Sequence, residues 1–243
     1  QAPANQMLTL FPISAVATGF SGSLVLTSNQ NSVAIANLMS SDFSGGASYV
    51  SRSQGATTVY LPLLTSSCSG DATWFSVQNT GTAEAPVQVA YSDGITATAT
   101  IKAGAAHTFY QRNEGHQCKV FAGTVTSTQP VAATVIQEAQ QVLFAYNGFT
   151  AAGTTTLLFP LINVGGGAGY LTGIQIQNTG TQDTEVIVSY IPSIAGTGCT
   201  ETQTIPAGNS KTFTLMAFYG NQTGTTTTCT PGSRFVGSAQ VTG

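Results

Sequence analysis

The sequence predicts an all-β chain built as two tandem antiparallel sandwiches. Three observations carry this: short segments alternate with period two, those segments recur in the same order about 100 residues further on, and no segment sustains a helical 3.6-residue period. Trp74, Ser76 and Gln78 alternate with Phe75, Val77 and Asn79, and Val186, Val188 and Tyr190 alternate with Ile187 and Ser189. β-Branched and aromatic residues fill these runs, and Gly, Asn, Asp and Pro punctuate them, which is the signature of strands joined by tight turns.

The duplication is the most informative feature. Phe75-Ser76-Val77-Gln78-Asn79-Thr80-Gly81 recurs as Ile174-Gln175-Ile176-Gln177-Asn178-Thr179-Gly180, and Tyr91 and Tyr190 each close an apolar strand at the same offset. Val59-Tyr60-Leu61-Pro62-Leu63-Leu64 matches Leu157-Leu158-Phe159-Pro160-Leu161-Ile162. Ile101-Lys102-Ala103-Gly104 with Thr108-Phe109 matches Ile205-Pro206-Ala207-Gly208 with Thr212-Phe213. Asn-Thr-Gly fits a turn, because Asn tolerates left-handed dihedrals and Gly adopts positive φ without a Cβ clash.

With a strand ending in Asn-Thr-Gly ahead of an apolar strand, residues 57–243 resemble the Ig-like modules of prokaryotic surface proteins. The resemblance implies architecture and not activity. The expected division is an N-terminal extension over 1–22, a first Ig-like domain over 23–128 and a second over 129–243.

The two ends of the chain look unmatched. In the first repeat, the strand at 130–137 is followed by another at 141–146; in the second, 234–243 reaches only the first of these. At the other end, 8–13 resembles the Pro-containing strands, 20–27 resembles 235–242, and 32–38 occupies the place of 141–146. A sandwich lacking its last strand leaves an apolar groove and unpaired backbone groups that accept a strand from another molecule. The expectation is that residues 4–20 complement the second domain of the next subunit, with Met7, Leu8, Leu10, Phe11, Ile13, Val16 and Phe20 as anchors. Such a head-to-tail contact builds a homopolymer, similar to donor-strand-complemented pili of bacteria and archaea. The alternatives are that residues 1–40 pack on their own first domain, as 24–38 are expected to do, or that the second domain is merely trimmed.

Composition narrows the function classes. Charged residues make up 6% of the chain, against roughly 25% in ordinary soluble proteins, and the net charge is −3. The six basic residues are scattered, so no nucleic-acid partner is expected. No apolar run reaches the roughly 18 residues of a membrane span. A start at Gln1 without a basic-then-apolar leader is what processing of a secreted chain leaves, with trimming as the alternative.

The four cysteines fall two to a repeat. Pairing within repeats gives Cys68–Cys118 and Cys199–Cys229, one of three connectivities, and implies an oxidising, extracellular or cell-surface location. No Cys-x-x-Cys spacing favours zinc, and neither metal nor cofactor is expected. His116 lies near Cys118, Glu114 and Arg112 in what reads as a polar loop, yet a bonded sulfur cannot serve as a nucleophile. Asp71, Asp93, Glu114 and Glu138 show no paired-carboxylate motif, so no enzyme is expected. Trp74 and Tyr60 read as core residues. Asn221 heads the one glycosylation sequon, leaving a glycan as a possible partner and a bare solvated loop as the alternative. The reading is an extracellular filament subunit; the alternative is a monomeric cell-surface adhesin or carbohydrate-binding module.

Overall fold

The computed structural model describes residues 6–11, 13, 15–17, 19–40, 42, 44–66, 70–139, 142–165, 169–214, 224–230 and 232–243. Its elements are almost entirely strands: β1 (Ile35–Met39), β2 (Gly46–Val50), β3 (Ala56–Thr65), β4 (Ala72–Asn79), β5 (Ala85–Tyr91), β6 (Thr96–Ile101), β7 (Ala106–Tyr110), a 3-10 turn (Gln111–Asn113), β8 (Val120–Ala139), β9 (Val142–Asn147), β10 (Thr156–Val164), β11 (Ile174–Gln177), β12 (Thr184–Ala195), β13 (Cys199–Ile205), β14 (Ser210–Phe213), β15 (Thr226–Thr227) and β16 (Phe235–Thr242). Every strand pairing given by register is antiparallel.

Period-two alternation becomes burial directly. In β5, Val87, Val89 and Tyr91 point inward and Gln88 and Ala90 outward; β12 repeats this with Val186, Val188 and Tyr190. Two cores result. One gathers Val59, Leu61, Phe75, Val77, Val89, Phe109, Val125 and Val135; the other gathers Ile162, Val164, Ile174, Val188, Ile205, Phe213 and Val241.

The first network turns on β8. Its leading half ladders with β3 and β5, placing Val125 opposite both Val59 and Val89. Its trailing half crosses to β4, with Val131 opposite Asn79 and Val135 opposite Phe75, and β9 returns along it. The expected boundary at 128/129 therefore falls inside β8. Pro130 has the look of a break in the sequence, but here it marks the crossing from one half of the network to the other. The strand networks divide between Asn147 and Thr156, and no strand is shared across that gap.

The second network repeats the first half of this plan. β16 ladders with β10 and β12, placing Val241 opposite Leu157 and Val188. β11 pairs with β14 as β4 pairs with β7. Register slips at the same place in both Pro-containing strands, between Leu61 and Leu64 in β3 and between Phe159 and Ile162 in β10. Proline donates no ladder hydrogen bond, so Pro62 and Pro160 sit where the ladder is interrupted.

Candidate assembly site

The turn that ends β4 and β11 is built by one asparagine in each repeat. Asn79 Nδ2 donates to Ala83 O (2.7 Å) and Ile101 O (2.9 Å), and Asn79 Oδ1 accepts from Gly81 N (2.9 Å). Asn178 makes the same three bonds, to Gln182 O (2.7 Å), Ile205 O (3.0 Å) and Gly180 N (2.9 Å). Gly104 N and Gly208 N donate to the Asn79 and Asn178 carbonyls, each glycine at a φ near +70° that a Cβ resists (74° and 72°). A second stitch is shared too. Thr73 Oγ1 bridges Thr65 N and O, and Thr172 Oγ1 bridges Asn163 N and O. β4 and β11 are thus the same strand of a duplicated unit, held by the same side-chain bonds.

They differ at one edge. β4 lies between β7 and the trailing half of β8. β11 pairs with β14 on one side, and among the described residues no strand ladders with its other side. The Gln177 side chain reaches Thr124 Oγ1 (3.3 Å) and Gly123 O (3.5 Å) in the first network, and the β11 backbone also comes close to β3 there, though no ladder joins the two. The same contrast holds above β3 and β10. In the first repeat the chain after β9 closes over β3: Tyr146 Oη donates to Leu63 O (2.7 Å), and Phe149 exchanges backbone bonds with Tyr60. Gly148 lies so close that a Cβ there would meet Val59 Cγ1 at 2.5 Å. Val59 and Leu61 are wholly buried as a result. Their counterparts Leu157 and Phe159 are only half-buried, and the neighbouring Leu158 and Leu161 are 74% and 67% exposed. Exposed apolar side chains beside an open strand edge are costly in water and favour a covering strand.

The N-terminal anchors are also uncovered. Met7, Leu8, Leu10, Phe11, Ile13, Val16 and Phe20 are all exposed, and among the described residues the first strand is β1.

No protein-family model matches the chain, and no curated protein matches it. A solved structure, the crystal structure of Thermotoga maritima 1070, aligns over 41% of this chain and 98% of its own, at 17% identity and a TM-score of 0.35. A likeness at that level carries no argument. No helix is long and apolar enough to cross a membrane, among the described residues.

Cys199 and Cys229 are joined, tying the start of β13 to the segment after β15. Cys118 is also disulfide-bonded; Cys68, expected as its partner, lies outside the described residues. Asn221 lies outside them as well.

The segment around His116 differs from its expectation as a polar loop. The ring is buried, stacked on Phe121 (centroids 4.2 Å) and edge-on to Tyr91 (4.6 Å). Its Nδ1 lies 2.8 Å from Asp93 Oδ2 and its Nε2 3.3 Å from Glu114 Oε2. Both ring nitrogens are therefore engaged, and the adjacent sulfur is bonded, so no Cys–His nucleophile forms. Arg112 turns away to Glu138 (3.4 Å). Asp93 and Glu114 are far apart in sequence and nothing local signals that one ring joins them. Burial, with Glu114 nearby, pushes the Tyr91 phenol well above its ordinary range. Trp74 is half-buried and its Nε1 donates to Glu138 Oε1 (2.8 Å), and Tyr60 is half-buried as well; neither sits in the main core.

Proposed function

We propose that this protein is an extracellular structural subunit, made of two Ig-like sandwiches, that polymerises head-to-tail into a pilus-like filament by strand donation. A strand from the N-terminal region of one copy fills the second repeat of the next. The observations that support this best are the edge of β11 that no strand ladders among the described residues, set against the covered edge of β4 in the same duplicated unit, and the exposed Leu158 and Leu161 of β10. Strand addition satisfies the backbone row and buries the apolar side chains in one step. Because the donor and acceptor surfaces differ, each copy offers one of each and the contact propagates. The near-neutral polar surface, with charged residues at 6%, sets little repulsion against close packing of copies. A filament of this kind serves adhesion, biofilm cohesion or surface coating, and needs no catalytic group.

Electron microscopy of the purified chain, with electrophoresis in detergent before and after boiling, tests this. Filaments and a detergent-resistant ladder are the expected result. A chain that stays monomeric at every concentration overturns the reading.

A further inference from the structure

Residues 4–20 are the donor that the sequence suggests, but the first repeat itself displays the piece that closes a unit of this kind, and a different segment carries its sequence. Residues 133–147, which complete β4 and return as β9, align without a gap to residues 23–37. Val135, Gln140 and Asn147 are matched by identical Val25, Gln30 and Asn37; Ile136, Leu143 and Ala145 are matched by apolar Leu26, Val33 and Ile35. Small residues fall at the same entry: Ala132 and Ala133 against Gly22 and Ser23.

The segment is also unspent. Residues 20–34 hold no strand, and their apolar side chains face outward, with Val25 64% and Val33 99% exposed. Ser23 Oγ, donating to Gly104 O (2.7 Å), ties it to the first network. The first network has no vacancy for it, because β9 and residues 131–139 already fill the equivalent slot there. Its second half is preformed as β1, antiparallel to β2 with Asn37 opposite Ser48. β2 in turn lies beside β9, where Asn147 Nδ2 donates to Val50 O (2.8 Å). Asn37 and Asn147 thus both lie against β2, at Ser48 and Val50 respectively.

Resting on the assembly reading above, we propose that residues 21–39 of one copy form the hairpin that closes the second repeat of the next copy, with residues 21–27 running antiparallel along β11. The first repeat fixes the register. Phe75 faces Val135, Ser76 faces Thr134 and Val77 faces Ala133. Carried over, Ile174 faces Val25, Gln175 faces Leu24 and Ile176 faces Ser23. Val25 enters the core as Val135 does, and β1 then covers Leu158 and Leu161 as β9 and its continuation cover Tyr60 and Leu63. A β-ladder then runs from β14 and β11 of one copy into the donated segment, whose second half stays paired with β2 of its own copy.

Mixing two variants, Leu24→Cys and Gln175→Cys, under mild oxidation with the native disulfides intact tests the register. A crosslink between the two chains, mapped by mass spectrometry of the unreduced digest, is expected in the mixture. A Leu10→Cys variant mixed with Gln175→Cys is expected to give none. A second variant, Val25→Asp, places a carboxylate in the slot and is expected to lower assembly by at least about a hundredfold. Because Val25 is exposed in the single chain, the thermal midpoint of the monomer is expected to stay unchanged. Filaments that crosslink through position 10, or that persist in Val25→Asp, overturn this inference and leave the proposed function standing. A 24–175 link found within one double-variant chain overturns donation to a second copy. Failure of the unaltered chain to assemble at all removes both.

Discussion

Asn79 and Asn178 close the same turn in the two repeats with matching side-chain bonds. Asn79 is fully buried and Asn178 nearly so, and each side chain bonds two carbonyls and one amide around its turn. Substituting either with Ala strands those groups away from water, and each of Asn79→Ala and Asn178→Ala is expected to cost about 2–4 kcal/mol in denaturant unfolding. Two buried phenols act at the alkaline end. Burial raises Tyr91 and Tyr146 well above the ordinary tyrosine value of 10.0. The unfolded chain then releases these protons first, so their contribution is whole below about pH 10 and is lost as pH rises beyond it. Stability is expected to fall by up to about 1.4 kcal/mol per pH unit for each tyrosine in that range. Tyr146→Phe should roughly halve that slope in unfolding measured from about pH 9 to 11.5. At the acid end, hydrogen bonds from Ser40 and Ser44 hold exposed Asp42 down at about 2, so the β1–β2 turn keeps them through mild acid.

At the scale of elements, the Cys199–Cys229 link spans 30 residues and anchors the short β15 to β13. Replacing both cysteines with alanine is expected to lower stability by about 3–4 kcal/mol through the freed chain, read from the shift in denaturation midpoint. Cys229 is buried in the second core, so the loss should appear in that repeat first. Strands with clean alternation, such as β5 and β12, were legible in sequence because one face of each is buried and period two records it directly. The Asn-Thr-Gly turns were legible for the same local reason. What sequence could not carry was long-range pairing. Gln129-Pro130 has the signature of a break, yet β8 runs through it because its two halves find different partners. Likewise, Asp93 and Glu114 meet only because β5 ends where the loop before β8 folds back.

For the whole molecule, the interface argued above is made of backbone bonds and apolar side chains, with almost no charge. Screening then has little to act on. Filament yield is expected to change less than about twofold between about 0.05 and 0.5 M salt, measured by sedimentation; a steep fall with salt would point to an ionic contact instead. The duplication makes the molecule its own reference: β4 is laddered on both sides, and β11 on one among the described residues. The sequence announced the duplication plainly. The difference at the edges needed the registers of β4 and β11, which depend on pairing between residues distant in the chain, more than fifty positions apart for β4 with β8.

β8 has a mechanical meaning. It threads both halves of the first network as one unbroken strand of 20 residues, gripped by β3, β5, β4 and β9 along its length. A pull along the chain therefore strains all four seams together, and bonds strained side by side give way only as a group. The second repeat owns no such through-going strand among its described residues. Under tension a fibre of these units would part there first, at the borrowed piece, and each unit would survive intact to be re-joined.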